Sequence, residues 1–307
     1  MTRISSAQIP AASLSHLSRA QLDLVEAARQ SSEQTYATDL KGYGRSGQTL
    51  VSAQRLVART QSFISTTKEL QTRMQIQDVA LSRASDAVIK LKEALFQNVG
   101  LESGEGVRSQ IEEAFAVLKD AMNTNLGGRY LFGGVLNDQP PVTVNTLSDL
   151  AADPLTDSIV QGADAQLMRI EENRTAPAGL VAEDVVSLAM ASIKRIAEFD
   201  EGPGGPFGGD LTSAQKDALM AELGQLSQAF DHILYQQAEH GRMMKEVDSA
   251  AERQTAHRDV LNGAIGEIVD VDLAEVAVRL NQAQFAYDAS AGVFNVIRNM
   301  SLLNVLK

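Results

Sequence analysis

Apolar residues recur at alternating steps of three and four from Ala53 onward: Ala53, Leu56, Thr60, Phe63, Thr67, Leu70, Met74, Gln77, Leu81, Ala84, Val88, Leu91 and Leu95. Ten of these thirteen positions are apolar, which marks a narrow coiled-coil seam rather than the broad stripe of a globular helix. Turn residues around Gly100 to Gly106 end this run, and a second helix follows with Val107, Ile111, Ala114, Leu118 and Ala121. The pattern returns after Thr212-x-x-Gln215, which reads as a capping box. It then runs through Leu219, Leu223, Leu226, Phe230, Ile233, Gln237, His240, Met244, Val247, Ala251, Gln254, Arg258, Leu261, Ile265 and Ile268 without a proline. At 1.5 Å per residue, ~55 residues predict a rod of roughly 80 Å. Such a rod needs partners along its length, and the 53–98 and 107–126 helices of the same chain are the candidates.

Both ends of the chain carry further seams. The first reads Leu14, Leu17, Gln21, Leu24 and Ala28; the last reads Leu273, Val276, Leu280, Ala283, Tyr287, Ser290, Phe294 and Ile297. Toward the C-terminus the apolar surface widens through Val293, Val296, Met300, Leu302, Leu303, Val305 and Leu306. A helix that is apolar on most sides must be buried on most sides, and one partner from residues 13–35 covers only part of it. Two readings stay open on this pattern: a core helix of an ordinary bundle, or termini that find their remaining partners on other subunits.

The middle differs. Six of the seven prolines fall between 140 and 206, with Pro10 at the front and none in 207–307. Arg129-Tyr-Leu-Phe-Gly-Gly-Val-Leu is β-prone and is followed by Asn-Asp-Gln-Pro-Pro and Val142-Thr-Val, which predicts a β-hairpin anchored by Tyr130, Leu131 and Phe132, as local core or as an intersubunit anchor. Residues 166–172 predict another strand, 185–199 a short amphipathic helix, and 202–209 a glycine-rich loop. The predicted fold is therefore mainly α: a long antiparallel coiled-coil helix bundle from the two flanks, with a small β-containing insertion between them. The expected divisions are an N-terminal helix and linker at 1–49, rod halves at 50–127 and 211–268, a variable segment at 128–210, and a terminal helix at 269–307.

Composition narrows the function classes. The chain has 307 residues and a formal charge of −12, with 44 % apolar residues, no Cys and no Trp. Missing cysteine excludes a disulfide framework, thiolate metal sites and cysteine nucleophiles. The acidic balance disfavours general nucleic-acid binding, which draws on clustered Lys and Arg. No stretch approaches ~18 consecutive apolar residues, and the first twenty residues have no apolar signal core, so neither membrane insertion nor a cleaved secretory signal is expected.

Candidate chemistry is sparse. Gly42-x-Gly44-x-x-Gly47 matches a dinucleotide fingerprint in form, but a polar, non-alternating segment precedes it and a coiled-coil seam follows. It reads as a linker. His232 and His240 are eight residues apart, about 12 Å along a helix, too far to share a metal unaided. His240 falls on the seam, where a polar residue fixes register. Glu112–Glu113, Glu171–Glu172 and Asp270/Asp272 are paired acids with no sign of a tuned pocket; Asp272 can serve as an N-cap for the last helix. No catalytic residue, cofactor or metal is assigned, and the chain is expected not to be an enzyme.

Three local stretches carry a resemblance. Asn125-Leu-Gly-Gly-Arg-Tyr-Leu-Phe-Gly-Gly, Ile268-Val-Asp-Val-Asp-Leu-Ala-Glu-Val-Ala-Val-Arg-Leu-Asn-Gln-Ala-Gln and Ser301-Leu-Leu-Asn-Val-Leu are similar to segments of the bacterial flagellin family, in its hook–filament junction branch. The resemblance covers roughly 1–135 and 210–307. The Ser-Gly-x-Arg-Ile-Asn element of filament-forming flagellins is missing from the 38–48 region, which reads Thr38-Asp-Leu-Lys-Gly-Tyr-Gly-Arg-Ser-Gly-Gln.

The resemblance implies a structural subunit of the bacterial flagellum, extracellular, joining hook to filament and exported unfolded by the flagellar type III apparatus. It implies a ring-like homo-oligomer, a neighbouring hook-associated protein, flagellin, and a small export chaperone on the C-terminal helix. The assembly interface would comprise Leu14, Leu17, Leu24, Leu273, Val276, Leu280, Tyr287, Phe294, Ile297, Leu302, Leu303 and Leu306. A divergent flagellin that builds the filament itself, or a secreted coiled-coil adaptor, are the alternatives.

Overall fold

The computed structural model describes the backbone over residues 8–159 and 164–305, with side chains over 11–159 and 164–299. Helices take 74 % of the described residues, so the chain is mainly α. In order, the elements are α1 (Gln8–Glu33), α2 (Gly47–Gly100), α3 (Val107–Met122), β1 (Asn125–Leu126), β2 (Arg129–Tyr130), α4 (Leu147–Ala152), α5 (Leu155–Ser158), β3 (Leu167–Glu171), β4 (Arg174–Pro177), α6 (Ala182–Glu201), α7 (Ser213–Val269) and α8 (Leu273–Val305). Two compact units emerge. Unit 1 holds residues 1–59 and 257–307; unit 2 holds 60–256. Charge divides unevenly between them: unit 1 carries 11 basic and 10 acidic residues, unit 2 carries 16 and 29.

In unit 2 the seams read from the sequence are the buried faces. Leu70, Met74, Leu81, Ala84, Val88, Leu91 and Leu95 of α2 are buried, as are Val107, Ile111, Ala114, Leu118 and Ala121 of α3 and Leu219, Leu226, Ile233 and Val247 of α7. Gln71 donates to Asp248 and Gln237 to Ser82, so α2 and α7 run antiparallel. The capping box forms: Gln215 N–H donates to Thr212 Oγ1 at 3.2 Å, and Thr212 N–H to Gln215 Oε1 at 2.9 Å. Against this frame pack α6, through Val185, Val186, Ala189, Met190 and Ile193, and the pair β3–β4, through Ile170, Ala176 and Ala178.

Polar ties fix the smaller pieces. Lys194 Nζ donates to the carbonyls of Leu150, Ala151 and Asp153 at 2.7–2.8 Å, closing the C-terminal end of α4 with a cation, where the helix dipole favours one. Asp200, with a side chain only 1 % exposed, accepts from Phe207 N–H and from Arg108 Nη1, both at 2.7 Å. That carboxylate fastens the 202–209 loop to α3.

The hairpin expected over 129–144 is far shorter. β1 and β2 are two residues each, turning through Gly127 and Gly128, both at positive φ. The chain then turns again at Gly133, where a Cβ would lie 2.8 Å from the Leu136 carbonyl oxygen. Val142 pairs instead with Ile159 across an isolated bridge. The expected strand at 166–172 is β3, and its partner is β4.

Candidate assembly interface

Within unit 1, α1 packs on α8. The register is set where the chain leaves α1. Gln34 adopts φ 58°, a left-handed cap that ends the helix. Tyr36 N–H then donates to the Val269 carbonyl at 2.7 Å, and Val271 N–H to the Gln34 carbonyl at 3.2 Å, around the antiparallel bridge Thr35–Asp270. Because α1 ends and α8 begins at this bridge, the two helices run antiparallel.

Side chains reinforce the crossover. Arg29 Nη2 and Gln30 Nε2 donate to the Tyr36 carbonyl at 3.0 and 3.1 Å. Arg29 also bridges Glu26 and Glu33, at 2.6 and 2.7 Å. The bonds that Arg29 donates to Glu26 and then to Glu33 raise its pKa, and the same Arg29 bond lowers that of Glu26. Asp272 caps α8 by accepting from Ala274 N–H at 2.8 Å.

The segment between α1 and α2, read as a linker, is an ordered loop. Tyr43 Oη donates to the Ala37 carbonyl at 2.6 Å, and its ring lies 6.4 Å from that of Tyr36. Gly42 is required by close approach, since a Cβ there would lie 2.3 Å from that of Ala37.

The hairpin has an inner seam and an outer surface. Leu17, Ala20, Leu24 and Ala27 of α1 face inward with Val276, Leu280, Ala283, Tyr287, Ser290, Phe294 and Ile297 of α8, all buried or half-buried. The alanines bring the two backbones close. Leu14, Leu22 and Val25 of α1 and Leu273, Val278, Phe285, Val293 and Val296 of α8 are exposed, Phe285 to 77 %. At 100° per residue, Val278, Phe285 and Val296 share one side of α8, well away from the seam.

Of the residues expected at the interface, Leu17, Leu24, Val276, Leu280, Tyr287, Phe294 and Ile297 therefore line the seam inside the chain, while Leu14 and Leu273 face out. Leu302 and Leu303 belong to α8, with side chains outside the described residues, and Leu306 lies wholly outside them. Leu22, Val25, Val278 and Phe285 were not anticipated. Repeating the helical count from Val278 would have found a second stripe.

The proposed hairpin anchor lies in unit 2. Tyr130 is half-buried in β2, and Leu131 and Phe132, just beyond it, are buried in the core. Gln77 Nε2 donates to the Leu131 carbonyl at 2.7 Å, and Ala182 N–H to that of Phe132 at 3.0 Å.

The histidines weighed as metal ligands and the acids weighed for acid–base chemistry sit in structural contacts. His240 is fully buried with Nε2 at 2.9 Å from the Met74 carbonyl and Nδ1 unpartnered. His232 Nε2 meets the Asp184 carbonyl at 2.6 Å. Glu112 pairs with Arg108 and Glu171 with Arg253. Among the described residues no cluster of three or more His, Cys, Asp or Glu could hold a metal, and no helix is long and apolar enough to cross a membrane.

Comparison with known proteins places this geometry. Residues 223–306 match the family model for the bacterial flagellin C-terminal helical region, a span that takes in α8 and the α7 seam from Leu223 onward. A solved structure from Vibrio parahaemolyticus, named for a flagellar hook-associated protein, superposes with a TM-score of 0.58 over 73 % of this chain and 97 % of that one, at 13 % identity. The structure of FlgL from Bacillus cereus covers 66 % of this chain and 98 % of its own at 17 % identity, with a TM-score of 0.48. No curated protein sequence matches the chain.

Proposed function

We propose that this chain, which carries a flagellin C-terminal helical region, is a structural subunit of the bacterial flagellum that joins hook to filament. The observation that carries the reading is the two-sided terminal hairpin. Its inner seam is satisfied within the chain, yet bulky apolar side chains line its outside. Large apolar side chains exposed along one side of both helices suit an interaction surface, and the second faces of α1 and α8 fit neighbouring copies of the same hairpin.

The distribution of charge agrees. Unit 1 is nearly neutral, so its copies can approach closely; unit 2 is strongly acidic and stays solvated. In this reading unit 1 forms the packed layer, and α8 is the segment a small export chaperone covers before assembly. The hook–filament position rests on the local likeness of 125–134, 268–284 and 301–306 to junction-type sequences. Neighbours would be flagellin on one side and another hook-associated protein on the other, around a ring of identical copies. Passage through the flagellar type III channel requires an unfolded chain, and a cysteine-free sequence suits it.

Immunogold electron microscopy of sheared flagella tests the position. Label in one band at the distal end of the hook is the expected result. Label along the whole filament would make the chain a filament-building subunit, and absence of flagellar label would overturn the reading.

A further inference from the structure

Unit 1 holds a second pair of surfaces, distinct from the apolar stripes of α1 and α8. The first turns of α2 and the loop before it form an open depression of about 430 Å³, lined by Leu40, Gly44, Val51, Ser52 and Arg55. Val51, Ser52 and Arg55 lie within about one turn of each other on one face of α2. The surrounding segment, 34–59, contains Lys41, Arg45, Arg55 and Arg59 against the lone acid Asp39. Lys41, Arg45 and Arg55 are exposed and make no ion pair among the described residues.

The last turns of α7 and the connection to α8 carry the opposite pattern. Residues 257–272 contain Asp259, Glu267, Asp270 and Asp272 against the lone base Arg258. Val260 stands 71 % exposed, and Ala264 and Glu267 follow it on the same face at steps of four and three. Gly263 beside them has open space around it, so this face is slim enough for another backbone to come near.

We infer that the two surfaces are the halves of one contact between copies: Val260 of one copy enters the depression over Leu40 and Val51 of the next, and Glu267 pairs with Arg55. Apolar floor meets apolar knob, and a segment with a basic excess meets one with an acidic excess. The two patches differ, so the contact is heterologous. It propagates head to tail and generates a ring or a helix rather than a closed dimer. The inference rests on the self-assembly proposed above and names where copies meet.

The test is charge reversal in the full-length protein, with association followed by sedimentation velocity. Both residues are exposed, so Arg55→Glu and Glu267→Arg should leave the far-UV circular dichroism unchanged. Each alone should weaken association at least ~10-fold. Mixed together, the two variants should associate again, because the acid introduced in one meets the base introduced in the other, and the next contact along pairs the native Arg55 with the native Glu267. The cysteine-free background gives an independent readout: copies bearing Ser52→Cys mixed with copies bearing Val260→Cys should form a disulfide-linked dimer under mild oxidation. Wild-type association that is untouched by either reversal, or a mixture that fails to restore it, overturns this contact while leaving the assembly role standing. A wild-type chain that stays monomeric and is absent from sheared flagella overturns both.

Discussion

Two phenylalanines on α8 separate folding from assembly. Phe294 lies in the seam against α1, whereas Phe285 points outward and is 77 % exposed. A phenylalanine presents roughly 200 Å² of surface, so about 150 Å² at Phe285 is still available for burial, worth about 4 kcal/mol at full burial at ~25 cal/mol per Å². Since ~1.4 kcal/mol is a factor of ten, Phe285→Ser should raise the concentration needed for assembly by about 100- to 1000-fold, less where neighbours bury the ring only in part. Its effect on the isolated chain should be within about 0.5 kcal/mol, as for other exposed sites. Phe294→Ser should instead destabilise α1 and α8 within the single chain. The assays are pelleting across a concentration series for assembly, and hydrogen exchange of α1 and α8 for the hairpin. Phe285→Ser that assembles like wild type, or that loosens the hairpin as Phe294→Ser does, would refute the assignment of inner and outer faces.

Other outcomes follow from single contacts in unit 2. Asp200→Ala leaves the Phe207 N–H without its acceptor and takes one partner from Arg108; with Arg108 itself part-exposed, a loss of about 2–3 kcal/mol is expected in urea unfolding, together with faster proteolysis at 202–209. His240→Leu removes a buried ring nitrogen that has no partner, while the Met74 carbonyl keeps its place in the helix, so the thermal midpoint should rise by about 2–4 °C. The Ser148 bond, and then Arg108, hold Glu201 below the ordinary carboxylate value of 4.5. A depressed folded-state pKa stabilises the fold above the unfolded value and is lost as the pH falls through the folded one. Glu201→Gln should therefore flatten the decline of the thermal midpoint below pH ~4.5, and an unchanged slope would count against the contact.

How much of this was legible in the sequence depended on residue size as much as on hydrophobicity. The seam from Leu219 to Ile268 could be read residue by residue because bulky side chains mark its period, and every one of its positions is buried or half-buried. On α1 the same rule selected Leu14 and Leu17 together, about 60° apart on one face, although Leu17 is half-buried and Leu14 exposed. There the inner seam is built partly from Ala20 and Ala27, which pack by letting backbones approach, and hydrophobicity counts give them little weight. The hairpin at 129–144 failed for a related reason. β-prone residues at 129–136 met glycines at 133 and 134 whose turns end the strand after two residues, and Val142 found Ile159 from a segment with no strand signal. The crossover bridge at Thr35–Asp270 joins residues 235 apart and leaves no local mark.

The unequal division of charge between the units has a consequence for the medium outside the cell. Fields between the acidic unit 2 bodies of adjacent copies reach about 8 Å at physiological ionic strength, but about 30 Å in water of 0.01 M salt. Copies held together through a neutral unit 1, as proposed above, would therefore repel one another through unit 2 by an amount that the surroundings set. In brackish water the repulsion is screened to local contacts; in fresh water it extends several times farther. Dilution should thus swell and soften the proposed assembly before it dissociates it, so that one subunit would give a structure whose stiffness varies with the salinity around it.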